Sequence, residues 1–399
     1  MFDEELLTRL TVIREAGLYR ELRRIDSPQS TTIKYRGEEL LNFSSNDYLG
    51  LANAPQLKEA ATDAIERYGA GAGASRLICG SLAPHHELDE TVACFKGTQA
   101  ALSFSSGYAA ASGAICALVE REDVVVMDKL VHACIIDAVR LSGAKMRVFA
   151  HNDLNQLEDI LTWAQARPAT GTATRRPRAL VITESVFSMD GDQAPLKAVV
   201  ELKDRYGAWL MLDEAHATGL LGPTRRGLAE ACGVNDHIEI QMGTLGKAIG
   251  SAGGYICGSK RLIEFLINRA RSFIFSTAPF PAAAAAATAG VRVIQSAIGE
   301  NLCQALWARV SQLTEGLTFK KGAESAIIPI HVGSEKKAVD AANSLLERGI
   351  YVPAIRYPTV ARGKARLRVT LTASHTKAQV DELVDALQAE AATIGTHET

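Results

Sequence analysis

The strongest constraint in this 399-residue sequence is an alternation of strand-length apolar runs with helix-length amphipathic stretches. The runs are ALSFS (101–105), DVVVMD (123–128), MRVFA (146–150), RALVITES (178–185), AWLMLDE (208–214), IEIQM (238–242) and GGYICG (253–258). Several are unbroken in Val, Ile and Leu, the composition of strands buried on both faces of a parallel sheet. Helical patterns such as 57–68, 130–142 and 196–206 accompany them. Alternation at this spacing predicts a doubly wound α/β sheet for the middle of the chain. The first 45 residues read as a helix followed by a short hairpin around Arg36-Gly37. From about Ser296 the texture changes to a long helix, IIPIHV, a helix over 335–348, IYVPAI, ARLRVTL and a final helix over 377–393. The expected organisation is an N-terminal segment (1–50), a large domain (51–290) and a smaller α+β domain (291–399). A linker candidate covers 166–177, and no internal repeat is evident.

Charge and motif arithmetic exclude several classes. Lys and Arg total 43 against 45 Asp and Glu, so no net basic field favours nucleic acid. The start, MFDEELLTRL, lacks the basic and apolar regions of a signal peptide. The small-apolar run 282–291 is too short to span a bilayer. Seven cysteines, none in a CxxC pair, suggest reduced thiols in a cytoplasmic protein, mostly as small buried hydrophobes. DEAH (213–216) resembles a helicase magnesium box, but the Gly-Lys at 246–247 has Gln241 six places earlier where a P-loop needs Gly. Ala248 follows where a hydroxyl is needed. His85-His86-Glu87 has Glu90 where a zincin needs its second His, so no metal is expected.

Three features survive, each where a strand hands over to a loop or helix. Ser105-Ser106-Gly107-Tyr108 opens the small-residue stretch AAASGAICAL, and a helix N-terminus with free N–H groups suits a phosphate; an ordinary strand–helix turn would look the same. Asp213 ends a buried strand and so needs a cationic partner, either a protonated heterocycle nitrogen or a structural Arg. Lys247 sits in the apolar, small-residue loop GTLGKAIG, the setting of a lysine with a depressed pKa and Schiff-base chemistry, although a surface Lys in a glycine turn is commoner. Phosphate cradle, strand-end Asp and loop Lys, in that order, together fit pyridoxal 5′-phosphate (PLP).

The chain also carries NFSSNDYLGLA (42–52), GAGASRLICGS (71–81), HACIIDAVRL (132–141), TESVFSMDGDQAPL (183–196), LDEAHATGLLG (212–222), GTLGKAIGSAGG (243–254), FST (275–277) and ARLRVTLTASHT (365–376). In these strings it resembles the α-oxoamine synthases over essentially its whole length. The resemblance implies a PLP-dependent transferase fold of the aspartate-aminotransferase type, its large domain built on a mostly parallel mixed sheet. It implies that Lys247 carries the cofactor as a Schiff base and acts as base on the amino-acid Cα. Asp213 would pair with the ring nitrogen, His216 and Ser188 would bond the ring phenolate, and His132 would stack on the ring. Gly107 and Tyr108 would line the cofactor site by backbone, with Thr244 on the phosphate. Ser276 would reach that phosphate from the partner subunit, making a homodimer part of the expectation. Asn46 and Arg368 would hold the amino-acid carboxylate. The strand context RLRVTL is read as turning one of Arg366 and Arg368 inward, without saying which.

Members of this family condense a small amino acid with an acyl thioester and lose carbon dioxide. GDQAPL, FAHND (149–153) and AIRYPTVARGKARLRVTL (354–371) are similar to the branch that joins L-alanine to a pimeloyl thioester in biotin biosynthesis. On that likeness Thr359 contacts substrate, and Arg20 serves the distal carboxylate or is an exposed helix Arg. SRLICGS (75–81) is instead closer to the branch using glycine and acetyl-CoA. A silent partner subunit is disfavoured by the intact Lys247, Asp213 and His216, and an aminotransferase by the acyl-transfer strings throughout. The acyl carrier, coenzyme A or an acyl-carrier protein, is not legible.

Overall fold

In the computed structural model, residues 1–168, 176–317 and 323–390 are described. The first helix, Phe2–Glu15, buries none of its residues. The hairpin of β1 (Thr32–Tyr35) and β2 (Glu38–Asn42) turns through Arg36 and Gly37, both at positive φ (51° and 86°). That is the left-handed pair a two-residue hairpin loop requires.

The central runs form strands β3 (Ala100–Phe104), β4 (Val124–Asp128), β5 (Lys145–Phe149), β6 (Ala179–Glu184), β7 (Trp209–Asp213), β8 (Ile240–Thr244) and β9 (Gly254–Gly258). They make one seven-stranded sheet in the order β3-β9-β8-β7-β6-β4-β5. The pairs β5–β4, β4–β6, β6–β7 and β7–β8 are parallel. Strand β9 runs antiparallel to both β8 and β3, because the connection from Thr244 to Gly254 is too short for a crossover helix. Strand β8 lies two residues later than IEIQM implied, since Asn235–His237 forms a 3₁₀ turn leading into it. Alternate residues serve opposite faces, as a period of two demands: Val124, Val181, Leu210 and Leu212 pack into one core, and Val125, Ile182 and Met211 into the other.

The apolar run over 282–291 is the helix Pro281–Gln295, which packs on the helices Pro55–Tyr68 and Ala83–Lys96. This helix continues through position 290, where the large domain was expected to end; the break comes at Ser296, which ends it and caps the helix Ala297–Gly316. Strands β10 (Ile327–Gly333), β11 (Ile350–Tyr351), β12 (Ala354–Ile355) and β13 (Ala365–Thr370) follow. Strand β13 pairs antiparallel with β10 and β12, while β11 adds in parallel to β2 and ties the N-terminal segment to the C-terminal one. Part of the linker candidate, 169–175, lies outside the described residues. Only Cys134, Cys257 and Cys303 are buried, and Cys79 and Cys94 are exposed, so the expectation of mostly buried thiols does not hold. Among the described residues no helix is long and apolar enough to cross a membrane.

Candidate active site

The carboxyl ends of the parallel strands face one edge of the sheet, where open α/β sheets bind their ligands. Three buried carboxylates lie there, at the ends of β4, β6 and β7: Asp128, Glu184 and Asp213 are 0, 2 and 5% exposed. Glu184 and Asp213 are direct register partners. Asp213 Oδ1 accepts the Ala215 N–H at 2.9 Å, and among the described residues no Arg or Lys lies within ion-pair distance. The structural-Arg alternative is thereby removed. Burial raises the Asp213 pKa, against the opposing pull of Lys247. Its neighbour in the DEAH string, Glu214, points elsewhere and forms a fully buried ion pair with Lys96.

Lys247 projects from the loop between β8 and β9, with Nζ 2.7 Å from His216 Nε2. Burial lowers its pKa, while Asp213 and Glu184 pull the other way. His216 is driven well below the ordinary histidine range, first by burial and then by the charges of Lys247 and Arg368, so its ring is neutral. On its other side, His216 Nδ1 lies 2.6 Å from the hydroxyl of Tyr48, which is fully buried. The Tyr48 hydroxyl also donates to Asn46 Oδ1 at 3.3 Å, and Arg368 Nη2 donates to that oxygen at 3.1 Å. A continuous polar chain thus runs Lys247–His216–Tyr48–Asn46–Arg368. Tyr48→Phe strands a buried ring nitrogen, an expected loss of about 1–3 kcal/mol. A lower urea midpoint at unchanged slope checks it.

His132 caps the helix Ala133–Ser142: its Nδ1 accepts the Cys134 N–H at 3.2 Å. Its own N–H donates to Glu184 Oε1 at 2.6 Å, which seats it above the carboxylate row. Gly107, the first residue of the helix Gly107–Leu118, lies against the end of β8: a methyl group added to it would sit 3.9 Å from Thr244 Cβ. That approach needs Gly254 on β9, whose Cβ would fall 2.6 Å from Gly107 N. The helix start and Thr244 together make a small-residue cradle of the kind a phosphate takes.

Residues i and i+2 of a strand share a face, so the reading that one of Arg366 and Arg368 turns inward is corrected: both are 5% exposed. Arg368 Nε donates to the Ser188 carbonyl at 2.6 Å, and Arg366 Nη1 pairs with Asp190 at 2.6 Å. A cavity of about 1050 Å³ opens beside them, lined among others by His132, Ser188, Arg366, Arg20 and Thr359. Arg20 Nη2 donates to Thr359 Oγ1 at 3.4 Å.

Most sequence-predicted residues therefore converge. Two stand apart: the Tyr108 side chain is half exposed and bonds Asp137, and Ser276 lies in a separate crevice with Arg76 and Ser105. Sequence reasoning missed Tyr48 and Glu184, although NDYLGLA and TESVFSMDG contain them. The residues fit PLP on one structural ground above all. Asp213 is a buried carboxylate without an ion-pair partner among the described residues, beside a lysine amine, a neutral imidazole and a glycine-built helix start.

The family model for aminotransferase class I and II matches residues 38–387. The chain is 45% identical to an 8-amino-7-oxononanoate synthase of Geotalea daltonii over 97% of this chain and 96% of that protein. It is 47% identical to one of Geobacter sulfurreducens over 95% of each. Among solved structures it is similar to a serine palmitoyltransferase variant from S. paucimobilis with a bound PLP–myriocin aldimine. There the TM-score is 0.90 at 28% identity, covering 98% of each chain.

Proposed function

The chain belongs to the class I and II aminotransferase family, within its α-oxoamine synthases, and from that premise we propose the reaction and the residues that perform it. The reaction is the decarboxylative condensation of L-alanine with a pimeloyl thioester, giving 8-amino-7-oxononanoate, carbon dioxide and free thiol. The observation that carries the acyl half is the cavity beside His132 and Ser188. Leu130, Ile136, Phe187 and Met189 give it an apolar wall. Arg20, Lys129 and Lys364 also line it and have no carboxylate at ion-pair distance among the described residues. A flexible chain ending in a carboxylate matches both properties.

The cofactor is PLP, which when bound supplies a covalent attachment for the amino acid and a ring that delocalises the electrons of its Cα. Lys247 Nζ takes the Cα proton and later returns one; burial lowers its pKa and so favours the amine form that does this. Asp213 would hold a proton on the ring nitrogen. His216 and Ser188 would hydrogen-bond the ring oxygen, and His132 would lie against the ring. The N–H groups at Gly107 and Tyr108, with Thr244, would hold the phosphate, joined by Ser276 from a second copy in a homodimer. Arg368 and Asn46, already bonded to each other, orient the alanine carboxylate. Arg20 and Thr359 receive the distal end of the acyl chain. Holding both reactants on one face replaces a bimolecular encounter by a positioned attack, which can lower the barrier by ~7 kcal/mol or more.

Thiol release by holoenzyme tests the specificity. L-Alanine with pimeloyl-CoA or a pimeloyl acyl-carrier protein is expected to outpace glycine with acetyl-CoA. The reverse preference would keep the fold and the lysine but overturn the substrate assignment.

A further inference from the structure

His151 lines the acyl cavity and belongs to a cluster that the mechanism above does not use. His151 Nδ1 lies 3.1 and 3.2 Å from the two oxygens of Asp128, and His151 Nε2 lies 2.7 Å from Asp192 Oδ2. Asp128 ends β4 and is fully buried; it also accepts the N–H groups of Leu130 and Asn152. Asp192 closes the segment 187–192, which carries Ser188, Met189 and Asp190. The Phe187 N–H donates to the Asp192 carbonyl at 3.0 Å, and the Phe187 ring meets the His151 ring edge-on at 4.3 Å. Among the described residues Asp192 Oδ1 has no partner, so there Oδ2 alone fastens this carboxylate, to His151 and to Asn152 Nδ2. Burial opposes a charge on His151, but the bonds to Asp128 and Asp192 outweigh it and push its pKa up to about 10. With both ring nitrogens donating to carboxylates, the imidazolium has no free edge with which to act as a base.

We propose that His151 is a positioning residue of the acyl cavity. It ties the segment 187–192 to the end of β4 and so holds the wall against which the acyl chain lies. The inference rests on the acyl-transfer reading for its effect on substrate, but not for the clamp itself. The far side of the segment is held independently, by Arg368 on the Ser188 carbonyl and Arg366 on Asp190. Gly191, at φ 73°, is pressed so close that a Cβ would lie 2.2 Å from the Ile327 carbonyl oxygen. Removing His151 therefore leaves the Asp192 carboxylate held through Asn152 Nδ2 alone among the described residues, and sets it opposite the fully buried Asp128 without a cation between them, which is costly.

Two variants of the holoenzyme separate the clamp from a general structural role. In His151→Gln the KM for pimeloyl-CoA is expected to rise about tenfold, because the buried Asp128 and the part-buried Asp192 have lost their shared counter-ion. The half-saturating L-alanine concentration, read from the cofactor absorbance, stays within about twofold, since Arg368 and Asn46 are untouched. His151→Gln with Asp192→Asn removes the unbalanced charge and is expected to recover most of that KM. Amide hydrogen exchange over 187–193 should quicken in the single variant and slow again in the double. Unchanged exchange in His151→Gln, or a double variant as impaired as the single one, would overturn the clamp. An inactive wild type with quickened exchange in His151→Gln would instead overturn the acyl-transfer reading and keep the clamp.

Discussion

Lys247→Ala is expected to lose turnover by ~10⁴-fold or more, the scale of a positioned base together with its covalent role. The loss is local. Lys247 leaves a loop whose neighbours Ala248 and Ile249 are buried in the core, and among the described residues its side chain hydrogen-bonds His216 alone. Deleting the amine leaves a neutral imidazole that still bonds Tyr48, so the far-ultraviolet circular dichroism should match the parent. Wild-type holoenzyme should be yellow, and borohydride should fix the cofactor mass on the peptide containing Lys247. A variant that keeps near-normal thiol release would remove Lys247 from the chemistry.

Asp213→Asn is the second large effect, and its signature is a split between activity and stability. The amide keeps the size and the bond from Ala215, but cannot hold a proton on a ring nitrogen. An expected fall in kcat of ~10²–10³-fold follows, comparable with losing one preorganised electrostatic group. Folding of the apoprotein should not suffer. Burial disfavours the ionised Asp213, and Glu184 stands beside it in register, so a neutral residue removes a desolvated charge. The urea midpoint of the apo variant is expected at or above that of the parent. A large drop in that midpoint with unchanged kcat would assign Asp213 to the scaffold instead.

The parts legible in the sequence are those where local composition and final environment coincide. Strands buried on both faces are unbroken apolar runs, so β4, β6 and β7 could be read almost to the residue. Asp213 stood out because a charge closes such a run, and Lys247 because it interrupts a loop of small apolar residues. What escaped depends on partners distant in the chain. Tyr48 meets His216 across 168 positions, and Glu184 meets the His132 backbone across 52. Neither a tyrosine in a loop nor a glutamate at a strand end announces that contact. Register was misjudged at Arg366 and Arg368, where the period of two turns both arginines inward. The direction of β9 depends on a nine-residue connection that a run of apolar letters does not encode.

In the proposed condensation the amino acid loses its carboxyl group while the acyl group leaves its carrier. The most direct measurement gives the holoenzyme L-alanine labelled with ¹³C at the carboxyl carbon, together with pimeloyl-CoA. It follows free thiol, labelled carbon dioxide and the mass of the amino-ketone product. Decarboxylative condensation gives one labelled carbon dioxide for each thiol and 8-amino-7-oxononanoate free of label. Pyruvate retaining the label, with no thiol released, would contradict it and make the chain an aminotransferase.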